Sequence, residues 1–281
     1  EQMTEQQTED QMLMELIEED CRVNPKEKIE YPPVCLSMGE IVLKDVTKGD
    51  TLMPIPLGTY GNLSVITAPP KTKKTFFISL LASVYLSGQN IYGGKLKGHR
   101  ENGSLIHFDT EQGKWHAARV FKRPYQMDAN IDSEKYHTFG LRVLNHKTRL
   151  QFIEHYLKTK VTEPSLVIID GIADLCADSN NIEESNEVVQ KLMEWSAKYN
   201  VHIINVIHQS FGSSKLGTGH LGSFLEKKSE MVISLEANTV NRDWVTVKCG
   251  RSRGYSFETF SFEVNQSGLP IIVGDLYDPL K

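Results

Sequence analysis

Cysteine is scarce in this chain. The four among 281 residues, Cys21, Cys35, Cys176 and Cys249, form no C-x-x-C pair and lie far apart. That excludes a disulfide framework and a cysteine zinc site, and reads as reduced thiols in a cytoplasmic protein. No apolar run reaches the ~18 residues a membrane span needs, so no membrane partner is expected. No secretory signal, internal repeat or low-complexity tract is visible. Lys and Arg are missing from residues 1–20, which hold eight acids. The net charge of −5 is therefore uneven, since residues 21–281 carry 31 basic against 28 acidic residues, a net of +3. A mildly basic body permits local nucleic-acid binding without requiring it. Glycine, finally, is absent from the turn at 68–75, a place where sequence patterns of this kind usually have two.

What is present reads as an acidic head on an α/β body. Residues 3–19 form a helical pattern with Leu13, Leu16 and Ile17 on one face, either a solvated terminus or an arm for a neighbouring subunit. Residues 22–34 (RVNPKEKIEYPPV) are polar and proline-containing and read as a linker. The division is thus 1–34 for helix and linker and 35–281 for one domain. Within the latter, strands are expected at 62–67, 104–109, 137–143, 165–170 and 201–207, with helices at 75–87, 114–123, 147–159 and 182–199. Short apolar strands alternating with helices imply a mainly parallel sheet with helices on both faces. Beyond residue 230 the runs 231–235, 243–249, 257–264 and 270–273 are β-rich and closely connected, which implies antiparallel strands at the end of the sheet.

Four segments carry the chemistry. In LSVITAPPKTKKT (63–75) a β-rich run enters a turn and leaves on Lys74-Thr75 into an apolar helix. That is the layout of G-x-x-x-x-G-K-[ST], here Ala68-Pro69-Pro70-Lys71-Thr72-Lys73-Lys74-Thr75. A helix N-terminus offers free N–H groups and partial positive charge to a phosphate. Lys74 would reach the terminal phosphates of ATP and the Thr75 hydroxyl would ligate Mg²⁺. With Lys73 in place of the second glycine, a left-handed backbone there costs roughly 1–2 kcal/mol. The alternative is a basic turn before an ordinary core helix. Second, SLVIID (165–170) is a buried strand ending in an acid, and Asp170 would hold a water of the Mg²⁺ shell. Third, LIHFDTE (105–111) ends in acids, of which Glu111 is better placed than Asp109 to activate an attacking water. Fourth, VHIINVIHQ (201–209) ends in polar groups, with Gln209 the candidate γ-phosphate sensor and His208 second to it, a lone histidine there reading more readily as structural.

These four pieces, in this order, resemble the RecA-like P-loop ATPases, in particular the branch of replicative hexameric helicases and RepA-type plasmid helicases. The resemblance covers about residues 35–265. It implies roles in catalysis for Lys74, Glu111 and Gln209, a Walker B Asp170, and a subunit ring or filament that acts on DNA, with single-stranded DNA expected. The loop P-K-[ST]-[KR]-K-T is also similar to ATPases of bacterial mobile elements and phages, which implies replication or mobilisation of such an element. Ala68 and Lys73 depart from the family's glycines, which bears on rate more than on nucleotide binding. In the family, the counterpart of SFGSSKLGTGHLGS (210–223) is a DNA-contacting loop, which implicates Lys215 and His220. A Lys-x-Arg pair of the helicase branch, an arginine finger for the neighbour's ATP, points to Lys248, Arg251 or Arg253 in KCGRSRG (248–254). The competing reading is a nucleotide-binding switch or assembly factor with weak or no hydrolysis, and a small-molecule kinase ranks third. Two more basic clusters remain, Lys95/Lys97/His99/Arg100 and Lys114/Arg119/Lys122/Arg123, the second interleaved with Trp115, Phe121 and Tyr125. The mixture suits single-stranded nucleic acid, and equally an amphipathic helix with its aromatics in the core, which is the expectation.

Overall fold

The computed structural model describes residues 5–44, 46–88, 95–209 and 219–273. Contacts divide the chain into Glu1–Pro32 and Pro33–Lys281. In the first unit, α1 (Glu5–Cys21) leaves Met12, Leu13, Met14, Leu16 and Ile17 exposed.

The second unit runs β1 (Val34–Leu43), β2 (Thr51–Thr59), β3 (Leu63–Ala68), α2 (Lys74–Ser87), β4 (Leu96–Gly98), β5 (Leu105–Asp109), α3 (Lys114–Met127), β6 (Tyr136–Gly140), α4 (His146–Lys160), β7 (Ser165–Asp170), α5 (Ile182–Lys198), β8 (Val201–His208), α6 (Gly219–Lys228), β9 (Met231–Ala237), β10 (Val245–Ser252), β11 (Phe260–Val264) and β12 (Pro270–Val273). Nine strands form one sheet in the order β12-β11-β10-β9-β3-β8-β7-β5-β6. The six from β9 to β6 are parallel, and β10, β11 and β12 add antiparallel at the other end. Each parallel strand is preceded by a helix or connects through one, as crossovers between parallel strands require.

Both sheet faces are covered, so the central strands are buried and mainly apolar, with buried polar residues such as Ser64, His107, His202 and Asn205 among them. In β7, Leu166 and Ile168 point to one core and Val167 and Ile169 to the other, following the period of two. The first core holds α2, with Phe77, Leu80, Leu81 and Val84 fully buried. The second holds α4, α5 and α6 through Ile153, Leu157, Leu192, Trp195, Leu221 and Leu225. Asn145 and Asn181 cap α4 and α5, accepting from Thr148 N and Glu184 N, which fixes where those helices begin.

The structure corrects the sequence reading in four places. Three strands have no counterpart in the expected elements: β1 and β2, ahead of β3, and β4, after α2, make a separate antiparallel sheet in the order β2-β1-β4. Pro54 and Pro56 disguise β2, and an edge strand is where prolines are tolerated. Helix α3 continues four residues beyond 123, through Pro124, whose ring is buried. Of the aromatics on α3, Phe121 and Tyr125 pack on the core, but Trp115 is 65% exposed. The 210–223 segment is not one loop: 219–223 open α6, so His220 is an exposed helical residue beside Phe224. Lys215 lies outside the described residues.

Candidate nucleotide site

The carboxyl ends of β3, β8, β7 and β5 lie side by side, with Ala68 opposite His208, Val206 opposite Asp170, and Asp170 opposite Asp109. The four candidate segments therefore converge on one edge, where open α/β sheets bind ligands.

The 68–75 turn curls tightly. Lys71 (φ 66°) and Lys73 (φ 56°) both adopt the left-handed conformation that glycine usually supplies. Thr72 Oγ1 donates to Pro69 O at 2.6 Å, Gln209 N donates to Ala68 O at 3.0 Å, and Lys73 Nζ donates to Asp243 O at 2.7 Å. Pro70 and Lys71 are exposed. No side chain caps α2, whose N-cap is Lys73, so its first N–H groups face the turn. The loop thus takes up left-handed backbone with lysines rather than glycines.

Lys74, the first residue of α2, is 9% exposed. Its Nζ lies 3.0 Å from His208 Nε2 and 3.2 Å from Nδ1, and His208 Nε2 lies 3.2 Å from Glu111 Oε1. The imidazole thus stands between the Lys74 ammonium and the Glu111 carboxylate, within hydrogen-bond reach of both. His208, which the sequence placed second to Gln209, is the hub of the cluster. A histidine at a strand end gives no signal of its own, and only the neighbouring termini reveal it. The His208 hydrogen bond lowers the Glu111 pKa, against burial, with Lys74 adding a smaller pull, so Glu111 is an ionised carboxylate.

Asp109 is spent on its own loop. Its carboxylate accepts from Glu111 N, Gln112 N and Gln112 Nε2 at 2.8–3.0 Å. That turn projects Glu111 toward the cluster. Gly171 makes room for it: at φ 94°, a Cβ there would meet Thr110 Oγ1 at 2.2 Å and Glu111 Cγ at 2.7 Å. Asp174 accepts from Thr110 Oγ1 at 2.8 Å and is structural.

Asp170 is buried, and its Oδ1 has no hydrogen-bond partner. Burial pushes its pKa up to about 7, with Asp109 and Glu111 adding to the rise and Lys74 opposing it. A buried orphaned carboxylate oxygen costs free energy unless a cation or its bound water takes it up. The donor set of hydroxyl and carboxylate, Thr75 and Asp170, is one that suits Mg²⁺. Gln209 Nε2 donates to Thr67 Oγ1 at 3.4 Å, which places its amide beside the turn.

The arginines are elsewhere. β10 runs antiparallel to β9, with Ser252 opposite Met231, and Met231 lies opposite Ser64 at the start of β3. Arg251 and Arg253 therefore sit at the sheet edge opposite Lys74. Arg253 N donates to Glu230 O and its Nη2 to Lys228 O, both at 2.9 Å. Arg251 is exposed, and Lys248 is paired with Glu236 at 2.6 Å. A cleft of about 500 Å³ lined by Met38, Ile55, Lys95 and Glu258 lies against the small sheet and shares no residue with the Lys74 cluster.

A family model described as an AAA domain (AAA_25) matches residues 51–213, over half of the chain. No curated protein sequence matches it. Among solved structures, the ATPase domain of another protein is similar with a TM-score of 0.54 at 14% identity, covering 76% of this chain and 85% of that one. The RadB recombinase gives 0.53 at 17% identity, covering 76% and 92%. A DnaB-like replicative helicase, solved for its interactions with primase, gives 0.52 at 15% identity, covering 75% of this chain and 57% of that one.

Proposed function

This chain belongs to the AAA-domain family and has the RecA-like ATPase fold, and from that membership and the Lys74 cluster we propose that it binds ATP with Mg²⁺ and hydrolyses the γ-phosphate in work on DNA. One observation carries the reading: a buried lysine at an uncapped helix start, 3.0 Å from the histidine that holds an ionised glutamate, beside the unpartnered Asp170 Oδ1.

In this reading the turn 68–75 wraps the phosphates and Lys74 moves from His208 to the terminal phosphates. Thr75 would ligate Mg²⁺ and Asp170 would hold a water of its shell, and the ion would neutralise phosphate charge. Glu111, kept ionised by His208, takes the proton of the attacking water, and Gln209 reports on the γ-phosphate. Arg251, exposed at the far edge, completes the site of a neighbouring copy, and Arg253, tied to the end of α6, serves that edge structurally. The action is helicase- or translocase-like on single-stranded DNA in a homo-oligomeric ring or filament, with His220 near the strand. The similar structures, an ATPase domain, a recombinase and a replicative helicase, support that direction.

Lys74→Ala tests it. Binding of a fluorescent ATP analogue should weaken at least tenfold and turnover should vanish; unchanged binding and hydrolysis would refute the assignment. A second reading, a nucleotide-operated switch with little turnover, is favoured by the loss of both pattern glycines, with Ala68 at the first position and a left-handed Lys73 at the second. Steady-state hydrolysis with and without single-stranded DNA separates the two: strong stimulation supports the motor, and a flat near-zero rate the switch.

A further inference from the structure

Helix α3 (KWHAARVFKRPYQM) contains four Lys or Arg, one His and no acid. Its inner face is Ala117, Val120 and Pro124, with Phe121 and Tyr125 against the core. Its outer face is Lys114, Trp115, His116, Arg119 and Lys122, all exposed. Trp115, Arg119 and Lys122, at i, i+4 and i+7, share one stripe. The Arg119 guanidinium lies 5.0 Å from the Trp115 ring centroid, and the His116 ring meets it edge-on. The indole is thus propped outward at 65% exposure and contributes nothing to the core.

The other basic cluster behaves differently. Lys95 pairs with Glu258, Lys97 with Glu40, and Arg100 spends its guanidinium on the carbonyls of Leu86 and Gly103. Among the described residues, no carboxylate pairs with Lys114, Arg119 or Lys122. Arg142 extends the positive surface, its Nη1 lying 3.5 Å from where a Gly113 Cβ would be.

We propose that the outer face of α3 is a docking strip for single-stranded nucleic acid, with Trp115 as the stacking platform and Lys114, Arg119, Lys122 and Arg142 facing the phosphates. Uncompensated cations call for a polyanion, and an exposed aromatic plane calls for an unpaired base, which a duplex does not offer. Lys114 to Lys122 cover about 12 Å of helix axis at 1.5 Å per residue, the reach of a few nucleotides. The strip is fastened to the nucleotide cluster at both ends. Lys114 follows Glu111 closely in the chain, and Arg123, 3.8 Å over the Phe76 ring, donates to Thr75 O at 3.4 Å. Strand binding would therefore bear on Glu111 and Thr75 together, a consequence that rests on the ATPase reading.

The test is anisotropy of labelled oligo(dT) at low salt without nucleotide, so that it stands or falls apart from ATP binding, which is measured separately. Wild-type protein should bind. Trp115→Leu should weaken binding about 5- to 100-fold, the worth of one stacked base. Arg119→Ala/Lys122→Ala should lower the salt slope by about 1.4, two phosphates at roughly 0.7 each. Arg119→Lys should keep the wild-type slope. Unchanged circular dichroism would show that the variants fold. Wild-type failure to bind, equal affinity in the Trp115→Leu variant, or equal competition by duplex would each overturn the proposal. So would variants that alter the mass in solution without altering oligo(dT) binding, which would make the strip a contact between copies.

Discussion

Burial holds His107 at a pKa of about 3, against 6.5 for a free imidazole. Its Nδ1 is 3.0 Å from the Tyr136 hydroxyl, and its Nε2 has no partner. Because the folded value is depressed, this histidine is neutral in the fold and takes up a proton only on unfolding. Its contribution to stability is intact above pH 6.5 and is lost as the pH falls from 6.5 toward 3. A His107→Leu variant lacks that liability. Its stability deficit relative to wild type at pH 7.5 should shrink by about 2 kcal/mol at pH 5, since one pKa unit is worth about 1.4 kcal/mol. Urea denaturation at the two pH values measures it, and a deficit that does not change with pH would show that the imidazole is not held neutral. Glu111 is the residue-scale test of chemistry. Glu111→Gln keeps the shape and removes the base, so turnover should fall about 10²- to 10⁴-fold with nucleotide affinity retained. Stopped-flow phosphate release beside equilibrium titration checks both, and a parallel loss of affinity would assign Glu111 to binding instead.

The turn between β3 and α2 is the element on which the site depends, and its backbone is unusual in what occupies it. At φ 56°, Lys73 is strained but unbranched, and its ammonium is anchored on Asp243 O. Lys73→Gly relieves the strain and frees the unfolded chain by a similar amount, so stability should move by less than about 1 kcal/mol. Lys73→Val puts a β-branched residue in the same conformation and should cost about 1–2 kcal/mol. Denaturation midpoints of the two variants should therefore separate, and equal midpoints would mean that the turn is not held left-handed. The sequence made such elements legible where one physical signal dominated. Buried strands such as 165–170 and helices such as 182–198 stand almost where the alternation of apolar strands and helices put them. It failed where signals conflict. Two prolines hid β2, Pro124 masked the last turn of α3, and glycine and serine made the start of α6 look like loop. The cluster was half legible. Lys74, Glu111 and Asp170 meet at the sheet edge because strand ends announce themselves. His208 was passed over because its significance lies in what faces it, 3.0 Å and 3.2 Å away on two other elements.

At the scale of the molecule, the separation of the arginines from the phosphate turn decides how a complete site could arise. Strand register puts Arg251 beside Val232, near the start of β9, while Lys74 lies beyond the end of β3, to which β9 is parallel. The width of the sheet edge to edge thus lies between them, and a side chain on a fixed strand cannot cross it within one subunit. If Arg251 assists hydrolysis as proposed, it must then act on the site of another copy, and the two defects should complement. Lys74→Ala subunits bring an intact Arg251, and Arg251→Ala subunits bring an intact phosphate turn. Each is expected to be nearly inactive alone, because every interface lacks one component. In a mixture, an interface that joins Lys74 of one copy to Arg251 of the other is whole. If subunits assort at random in equal amounts, about a quarter of interfaces combine both groups, since each of two independent halves is correct half the time. Turnover in the mixture should therefore recover toward a quarter of the wild-type rate, with single-stranded DNA present and protein concentration above that of assembly. Recovery that vanishes on dilution would confirm that the active unit spans copies. A mixture no more active than its inactive parents, under conditions where light scattering shows co-assembly, would remove Arg251 from the reaction and leave hydrolysis to the residues of one chain.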